Sequence, residues 1–255
     1  MTEYRVLDRL MTARDIQGGG FLLLLDPDRV SERACCAMAE ASAEAGVDAL
    51  LVGTSFIMNA DYPRAVRAIK HSTTLPVILL PGSASQVVPD ADAILFTSLL
   101  SGRNPTYLID EQVKGAPLVR QYGLEPIPTG YLLIESGSPT SVQFMSGSFP
   151  IPSGKSEIAC AHALAAQYLG MKLVYLEAGS GAEHAVPSEM VQAVANSVEI
   201  PIIVGGGLRS PGDCAERIRA GASFVVVGNH FERDPDYSYL REMTTATHPR
   251  LAIHV

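Results

Sequence analysis

Short runs of consecutive apolar residues alternate along this chain with longer stretches of helical periodicity. An amphipathic segment over about 4–15 precedes Gly18-Gly19-Gly20, and Phe21 to Leu25 then reads as a buried strand ending at Asp26-Pro27-Asp28. Ser31 is placed to cap a helix that runs to about Ala45 and that Gly46 stops. Further strands are predicted over 48–52, 76–80 and 93–96, with a helix around 63–71 between the first two of these. A helix near 107–122 leads to the fifth run, from Pro126 to Glu135. A Ser/Gly/Pro-rich loop over 136–153 and a helix over 157–169 follow, and three more strands centre on Leu173, Ile200 and Phe224. Pro187 and Pro211 suit the first turns of the helices between those strands, and a last helix is expected over 237–245.

Two stretches repeat one design. Gly46-Val47-Asp48-Ala49-Leu50-Leu51-Val52-Gly53 and Gly221-Ala222-Ser223-Phe224-Val225-Val226-Val227-Gly228 each stop a helix, run through a strand buried on both faces and end in glycine. Eight strand–helix units predict a (β/α)8 TIM-like barrel, whose chemistry sits at the C-terminal ends of the strands, with a doubly wound sheet as the alternative. The third connection breaks the rhythm. Ser83 to Asp92 is too short for a full crossover helix, so something irregular must bridge it.

Composition narrows the picture. The 255 residues carry 19 basic and 27 acidic side chains, a net charge of −8, with the basic residues scattered. That disfavours nucleic acid and polybasic attachment to anionic lipid. No linker-like stretch divides the chain, so one domain over 1–255 is expected. Four cysteines, Cys35 and Cys36 adjacent, have neither disulfide-framework nor zinc spacing and read as reduced residues of a cytoplasmic protein. No signal peptide is expected from the N-terminal residues, and the strongest apolar run is far short of the ~20 residues of a bilayer span.

Candidate chemistry concentrates at strand ends. Tyr175-Leu176-Glu177-Ala178-Gly179-Ser180-Gly181 leaves one acid at the mouth and then offers two glycines around a serine, so backbone N–H groups can close on an anion. Val204-Gly205-Gly206-Gly207-Leu208-Arg209 and Val227-Gly228-Asn229-His230 share that design, at the two strands whose loops most often hold phosphate in such barrels. The three ends are expected to converge on one phosphate. On the opposite side, Asp26-Pro27-Asp28 and Ser55 offer hard oxygen ligands of the kind Mg2+ takes alongside substrate phosphates. Glu177, alone in an apolar strand end, is suited by desolvation to accept a proton. The six histidines show no metal-ligand spacing, and Tyr107, Tyr122, Tyr131, Phe144 and Phe149 read mostly as core.

Together, Leu25-Asp26-Pro27-Asp28, Val52-Gly53-Thr54-Ser55, Pro126-Ile127-Pro128-Thr129-Gly130-Tyr131, the Tyr175–Gly181 stretch, Val204 to Arg209 and Val227-Gly228-Asn229 resemble the geranylgeranylglyceryl phosphate synthase family, which includes bacterial heptaprenylglyceryl phosphate synthases. The resemblance runs from about Phe21 to Asn229, and the intact Tyr-Leu-Glu-Ala-Gly-Ser-Gly is similar to the archaeal-type second group. It implies a TIM-like barrel with the third helix replaced by a loop. The implied reaction is Mg2+-dependent ether formation between sn-glycerol-1-phosphate and a polyprenyl diphosphate such as geranylgeranyl diphosphate. By matching position, Tyr175, Leu176, Glu177, Ala178, Gly179, Ser180, Gly181, Gly206, Gly207, Gly228 and Asn229 would bind glycerol phosphate, and Asp26 and Ser55 would serve Mg2+. A homo-oligomer, dimer or hexamer, is also implied, and a transient membrane-surface contact would release the product. Two positions depart from the family pattern: Arg29 stands where many relatives have lysine, and Thr54 replaces a second glycine, narrowing the backbone approach beside Ser55.

In the implied chemistry Asp26 and its metal favour departure of the diphosphate, and Glu177 orients the glycerol hydroxyl or removes its proton. A phosphosugar isomerase or aldolase on the same barrel would need a second acid/base or a Schiff-base lysine at the rim, where none of Lys70, Lys114, Lys155 and Lys172 is expected. A non-catalytic phosphometabolite-binding barrel would leave Asp26 and Glu177 without a task.

Overall fold

In the computed structural model, which describes residues 5–58, 61–228, 231 and 237–251, the apolar runs pair edge to edge into a closed parallel barrel. Its strands are β1 (Gly20–Leu25), β2 (Ala49–Val52), β3 (Val77–Leu79), β4 (Ala93–Leu99), β5 (Glu125–Leu133), β6 (Leu173–Glu177), β7 (Ile202–Gly205) and β8 (Phe224–Val227), with β8 returning to β1. Around them stand α1 (Arg5–Gln17), α2 (Glu32–Ala45), α3 (Tyr62–His71), α4 (Glu111–Tyr122), α5 (Ser141–Ser146), α6 (Ser156–Tyr168), α7 (Ser188–Ala195), α8 (Pro211–Arg219) and α9 (Tyr237–Thr247). The barrel, rather than the doubly wound sheet, is what forms.

Local chemistry explains several boundaries. The Ser31 hydroxyl accepts from Ala34 N, and Gly46 closes α2 in the left-handed conformation. Ser210 and Asp213 form a reciprocal capping box with Pro211 as the first helical residue, whereas Pro187 is the cap of α7 and stands just before its first turn.

Alternation along each strand divides the apolar side chains into two layers. Phe21, Leu23 and Leu25 of β1 and Val174 and Leu176 of β6 face the helices. Leu22, Leu51, Ile78, Leu95, Ile127, Tyr175, Ile203 and Phe224 fill the barrel interior, joined from below by Leu7 and Leu10 of α1. The α1 helix is anchored there by buried Glu125, which accepts from Val6 N at 2.6 Å and Leu7 N at 3.0 Å. A carboxylate on those first amides satisfies two donors that a helix cannot satisfy itself.

The third connection holds only a single 3-10 turn, Ala84–Gln86, as its length demands. Gln86, 2% exposed, pins it by donating to Thr54 O at 2.9 Å and accepting from Gly82 N at 3.0 Å. Ala84 N donates to Glu111 Oε2 at 2.6 Å, so the turn lies against α4. One π-turn, Thr106–Asp110, leads into α4.

Two expectations need correction. The segment after β5 is not simply a loop: it carries α5 before returning to pair Ile151 with Ile134. Phe144 and Phe149 are 84% and 92% exposed, because their side chains stand outside both packed layers although neighbours in the same segment such as Ser146 and Ser148 are buried. Tyr107, Tyr122 and Tyr131 are half-buried.

Candidate active site

The C-terminal ends of the strands open into one cavity of about 1180 Å3. Its floor on one side is built from β6, where alternation points Tyr175 and Glu177 inward and Leu176 and Ala178 outward. Both outward side chains are buried against the helical layer, and neither lines the cavity. Ala178 N is also occupied, donating to Gly205 O. Direct ligand contact through Leu176 or Ala178 therefore has no support in the geometry.

Glu177 is 7% exposed, and its Oε1 accepts from Gly179 N at 2.6 Å. That bond commits the Gly179 amide to the carboxylate, not to an anion. Burial raises the Glu177 pKa above its ordinary value, with the Tyr175 hydroxyl and the Gly179 N–H pulling back. The Tyr175 hydroxyl is fully buried beside this carboxyl without closing a hydrogen bond of good geometry, and burial followed by the Glu177 charge raises its pKa well above the usual phenol value. Tyr131 stacks obliquely on Tyr175, ring centroids 5.2 Å apart, because β5 and β6 pair those two residues in register.

The loops after β6 and β7 meet, while Gly228 after β8 abuts Leu24 of β1. Gly206 has φ +80°, and a Cβ there would lie 2.6 Å from Glu177 Oε1 and 2.7 Å from Gly179 N. The loop after β7 is thus pressed onto the loop after β6 at a distance only glycine permits. Ser180, Gly181, Gly206, Gly207 and Gly228 all line the cavity. Asn229, the remaining member of that group, lies outside the described residues. Arg209 also lines the cavity and donates to Ala182 O at 2.8 Å, so its guanidinium clasps the loop after β6.

Asp26 and Ser55 line the other side. Asp26 is 7% exposed; its Oδ1 accepts from Asp28 N at 3.0 Å, and its Oδ2 lies 3.4 Å from Arg29 Nε. Burial raises its pKa, opposed by the Asp28 N–H, the Thr54 hydroxyl and Arg29. Thr54, the departure from the family pattern, thus sits against the very carboxylate expected to serve the metal. Asp28 is engaged elsewhere too, accepting from Met58 N at 3.0 Å.

Among the described residues no three His, Cys, Asp or Glu side chains gather to hold a metal. The donors present are oxygens at two adjacent strand ends, a set that fits a hard cation relying on water and substrate phosphate for its remaining ligands. All four lysines lie away from the cavity: Lys70 pairs with Asp92, Lys114 with Glu111 and Lys155 with Glu157, and Lys172 precedes β6.

The remaining walls are largely apolar, with Val87, Leu95, Phe96 and Leu99 on the β3–β4 side. Tyr107 bridges the mouth by donating to Met145 O at 3.1 Å. Tyr131, which the sequence places mostly in the core, and Thr140, which the sequence does not single out, both line the cavity; the Thr140 hydroxyl is buried without a hydrogen-bond partner against Gly179. Tyr131 was findable, since it ends the Pro-Thr-Gly-Tyr stretch two residues before the position paired with Glu177. Thr140 carried no signal.

A family model described as the PcrB family matches residues 12–247. The chain belongs to that family. Among its PcrB relatives, geranylgeranylglyceryl phosphate synthase of Thermococcus kodakarensis is 47% identical over 221 residues, covering 86% of this chain and 87% of that protein. The enzyme of the same name from Spirosoma linguale is 44% identical over 216 residues, covering 85% and 87%. The crystal structure of (S)-3-O-geranylgeranylglyceryl phosphate synthase from Thermoplasma acidophilum, in complex with its substrate sn-glycerol-1-phosphate, matches with a TM-score of 0.90 and 35% identity over 97% of this chain and 99% of that one. Thiamine phosphate pyrophosphorylase from Pyrococcus furiosus, 11% identical with a TM-score of 0.59, shares the fold alone.

Proposed function

We propose that this PcrB-family barrel forms an ether bond between the hydroxyl of sn-glycerol-1-phosphate and geranylgeranyl diphosphate, giving geranylgeranylglyceryl phosphate and diphosphate. One observation carries the reading: glycine loops after β6, β7 and β8 and the buried Glu177 share a single cavity with Asp26, and its walls continue as apolar surface toward β3 and β4. Its named relatives and the glycerol phosphate complex of the Thermoplasma acidophilum enzyme support the same substrate pair.

In this reading the phosphate lies against the backbone of Ser180, Gly181, Gly206, Gly207 and Gly228; Asn229, outside the described residues, stays a candidate ligand on the sequence alone. That anchor places the glycerol hydroxyl beside Glu177. The glycerol oxygen forms its bond to the first prenyl carbon as the bond from that carbon to diphosphate breaks, and Glu177 takes the hydroxyl proton. Burial raises its pKa, which strengthens the carboxylate as a proton acceptor. Tyr175, wedged beside it, holds the carboxylate in place. Asp26 and Ser55 would hold Mg2+, whose chemistry when bound is to neutralise the charge of the departing diphosphate. Holding both reactants in register can supply on the order of 7–11 kcal/mol of barrier reduction, so the anchor matters although it makes no bonds.

We further read the chain as one domain acting in the cytoplasm as a homo-oligomer, with product passed at a membrane surface; the free cysteines and the exposed Phe144 and Phe149 support those parts. No helix among the described residues is long and apolar enough to cross a membrane. The aldolase alternative is disfavoured by the placement of all four lysines.

Incubation with geranylgeranyl diphosphate, sn-glycerol-1-phosphate and Mg2+ should yield ether product. Glycerol phosphate binding without turnover would support a non-catalytic binding barrel instead, and the reading would fall.

A further inference from the structure

Thr140 is the residue from which α5 starts, and its side chain does not do what a threonine there ordinarily does. In that position threonine is favoured because its hydroxyl accepts from an amide of the first helical turn. The Thr140 backbone has the extended geometry of such a cap, φ −99° and ψ 164°, yet its hydroxyl makes no capping bond. The side chain is turned onto the loop after β6 instead. A Cβ on Gly179 would lie 2.5 Å from both Oγ1 and Cγ2 of Thr140, so the threonine fills the space that a side chain at Gly179 would need.

The hydroxyl is thereby held in the cavity wall with nothing to bond. Thr140 is 8% exposed and lines the cavity, and its Oγ1 has no hydrogen-bond partner among the described residues. Burying a hydroxyl unpaired is costly enough that most such groups in folded proteins are satisfied. Two ties keep the segment where it is: His184 N donates to Ser136 O at 3.1 Å, and Ser138 Oγ donates to Glu183 Oε2 at 3.2 Å.

The anion site beside it is one donor short. The Gly179 N–H is spent on Glu177 Oε1, so an anion against Ser180 and Gly181 must find another proton. Thr140 Oγ1 stands against that same glycine. We propose that Thr140 is a further substrate-binding residue, its hydroxyl donating to a phosphate oxygen of sn-glycerol-1-phosphate where the Gly179 amide does not. This inference rests on the reading of the site given above.

The experiment measures sn-glycerol-1-phosphate affinity by calorimetry, steady-state kinetics and thermal melts in the wild-type protein, Thr140→Val and Thr140→Ser. Valine keeps the shape packed on Gly179 and removes only the hydroxyl. Thr140→Val should weaken glycerol phosphate binding by about tenfold or more, the scale of a lost hydrogen bond to a charged group. Its kcat at saturation should stay within about threefold of wild type and its KM for geranylgeranyl diphosphate within about twofold, because the hydroxyl serves binding alone. Thr140→Ser, which keeps the hydroxyl, should bind within about threefold of wild type. Thr140→Val should melt no lower than wild type, since the free protein draws no bond from the hydroxyl.

Unchanged affinity in Thr140→Val, with wild type binding, overturns the inference and leaves the function standing. Equal weakening in the valine and serine variants overturns it too, because packing at Gly179 would then account for the loss. So does a lower melting temperature in Thr140→Val, which would give the hydroxyl a structural task. A wild-type protein that fails to bind sn-glycerol-1-phosphate takes down the function and the inference together.

Discussion

The convergence of the strand-end loops is testable with a matched pair of glycine substitutions. Gly206 and Gly181 have similar backbone conformations, φ +80° and +74°, so alanine at either costs about 1–2 kcal/mol of left-handed strain. Their surroundings differ. A Cβ at Gly181 meets nothing within 4 Å, while one at Gly206 lands 2.6 Å from Glu177 Oε1, 2.7 Å from Gly179 N and 2.8 Å from Gly179 O. Gly206→Ala must therefore also displace the Glu177–Gly179 bond, a hydrogen bond to a charged group worth about 1.5–3 kcal/mol. The sums are about 2.5–5 kcal/mol for Gly206→Ala against about 1–2 kcal/mol for Gly181→Ala. In a chain of this size each kcal/mol moves the melting temperature by about 2–4 °C. Thermal melts should separate the variants, with Gly206→Ala falling by roughly 5–20 °C and Gly181→Ala by roughly 2–8 °C. Because Glu177 moves with the wedge, kcat should fall by about a hundredfold in Gly206→Ala, the cost of a misplacement near 1 Å. Equal melting shifts and equal turnover in the two variants would refute the packing of the β7 loop on the β6 loop, and with it the shared anion site.

Glu177→Gln should lower kcat with little loss of glycerol phosphate affinity, measured by steady-state kinetics and calorimetry; near-normal turnover would remove Glu177 from the chemistry. The raised Glu177 pKa means the carboxylate is lost as pH falls, so the acid limb of wild-type kcat/KM should lie above the ordinary glutamate value of 4.5 and should vanish in the Gln variant. The same shift destabilises the fold: a buried acid with a raised folded-state pKa favours the folded state at low pH and costs stability as pH rises from 4.5 through its folded pKa, so Glu177→Gln should melt higher than wild type at neutral pH. Asp26→Asn should abolish the Mg2+ response of turnover, titrated with the ion after chelation; an unchanged response would reject Asp26 as the metal's carboxylate.

Much of the barrel was legible in the chain because its signals are local. Strands buried on both faces read as continuous apolar runs, Ser31 and Gly46 bracket α2 by backbone chemistry, and the ten residues from Ser83 to Asp92 cannot hold a crossover helix in any fold. The site was legible in part for the same reason, since glycine at three strand ends is a local request for close backbone approach. What each residue of a strand end does is decided by which face it presents. The sequence names Tyr175 to Gly181 as one block, yet closure of the barrel turns Tyr175 and Glu177 inward and buries Leu176 and Ala178 under the helices.

Composition and periodicity thus determined the element order, the barrel class and the strand ends where chemistry gathers, because each depends on neighbours within a few residues. Only the tertiary structure decided that Gly206 abuts Glu177, that Tyr131 stacks on Tyr175, that Phe144 and Phe149 are left outside the core, and that Thr140 packs against Gly179. Those facts join residues dozens of positions apart, and they follow from the register and closure of eight strands, which fix distances that no local pattern encodes.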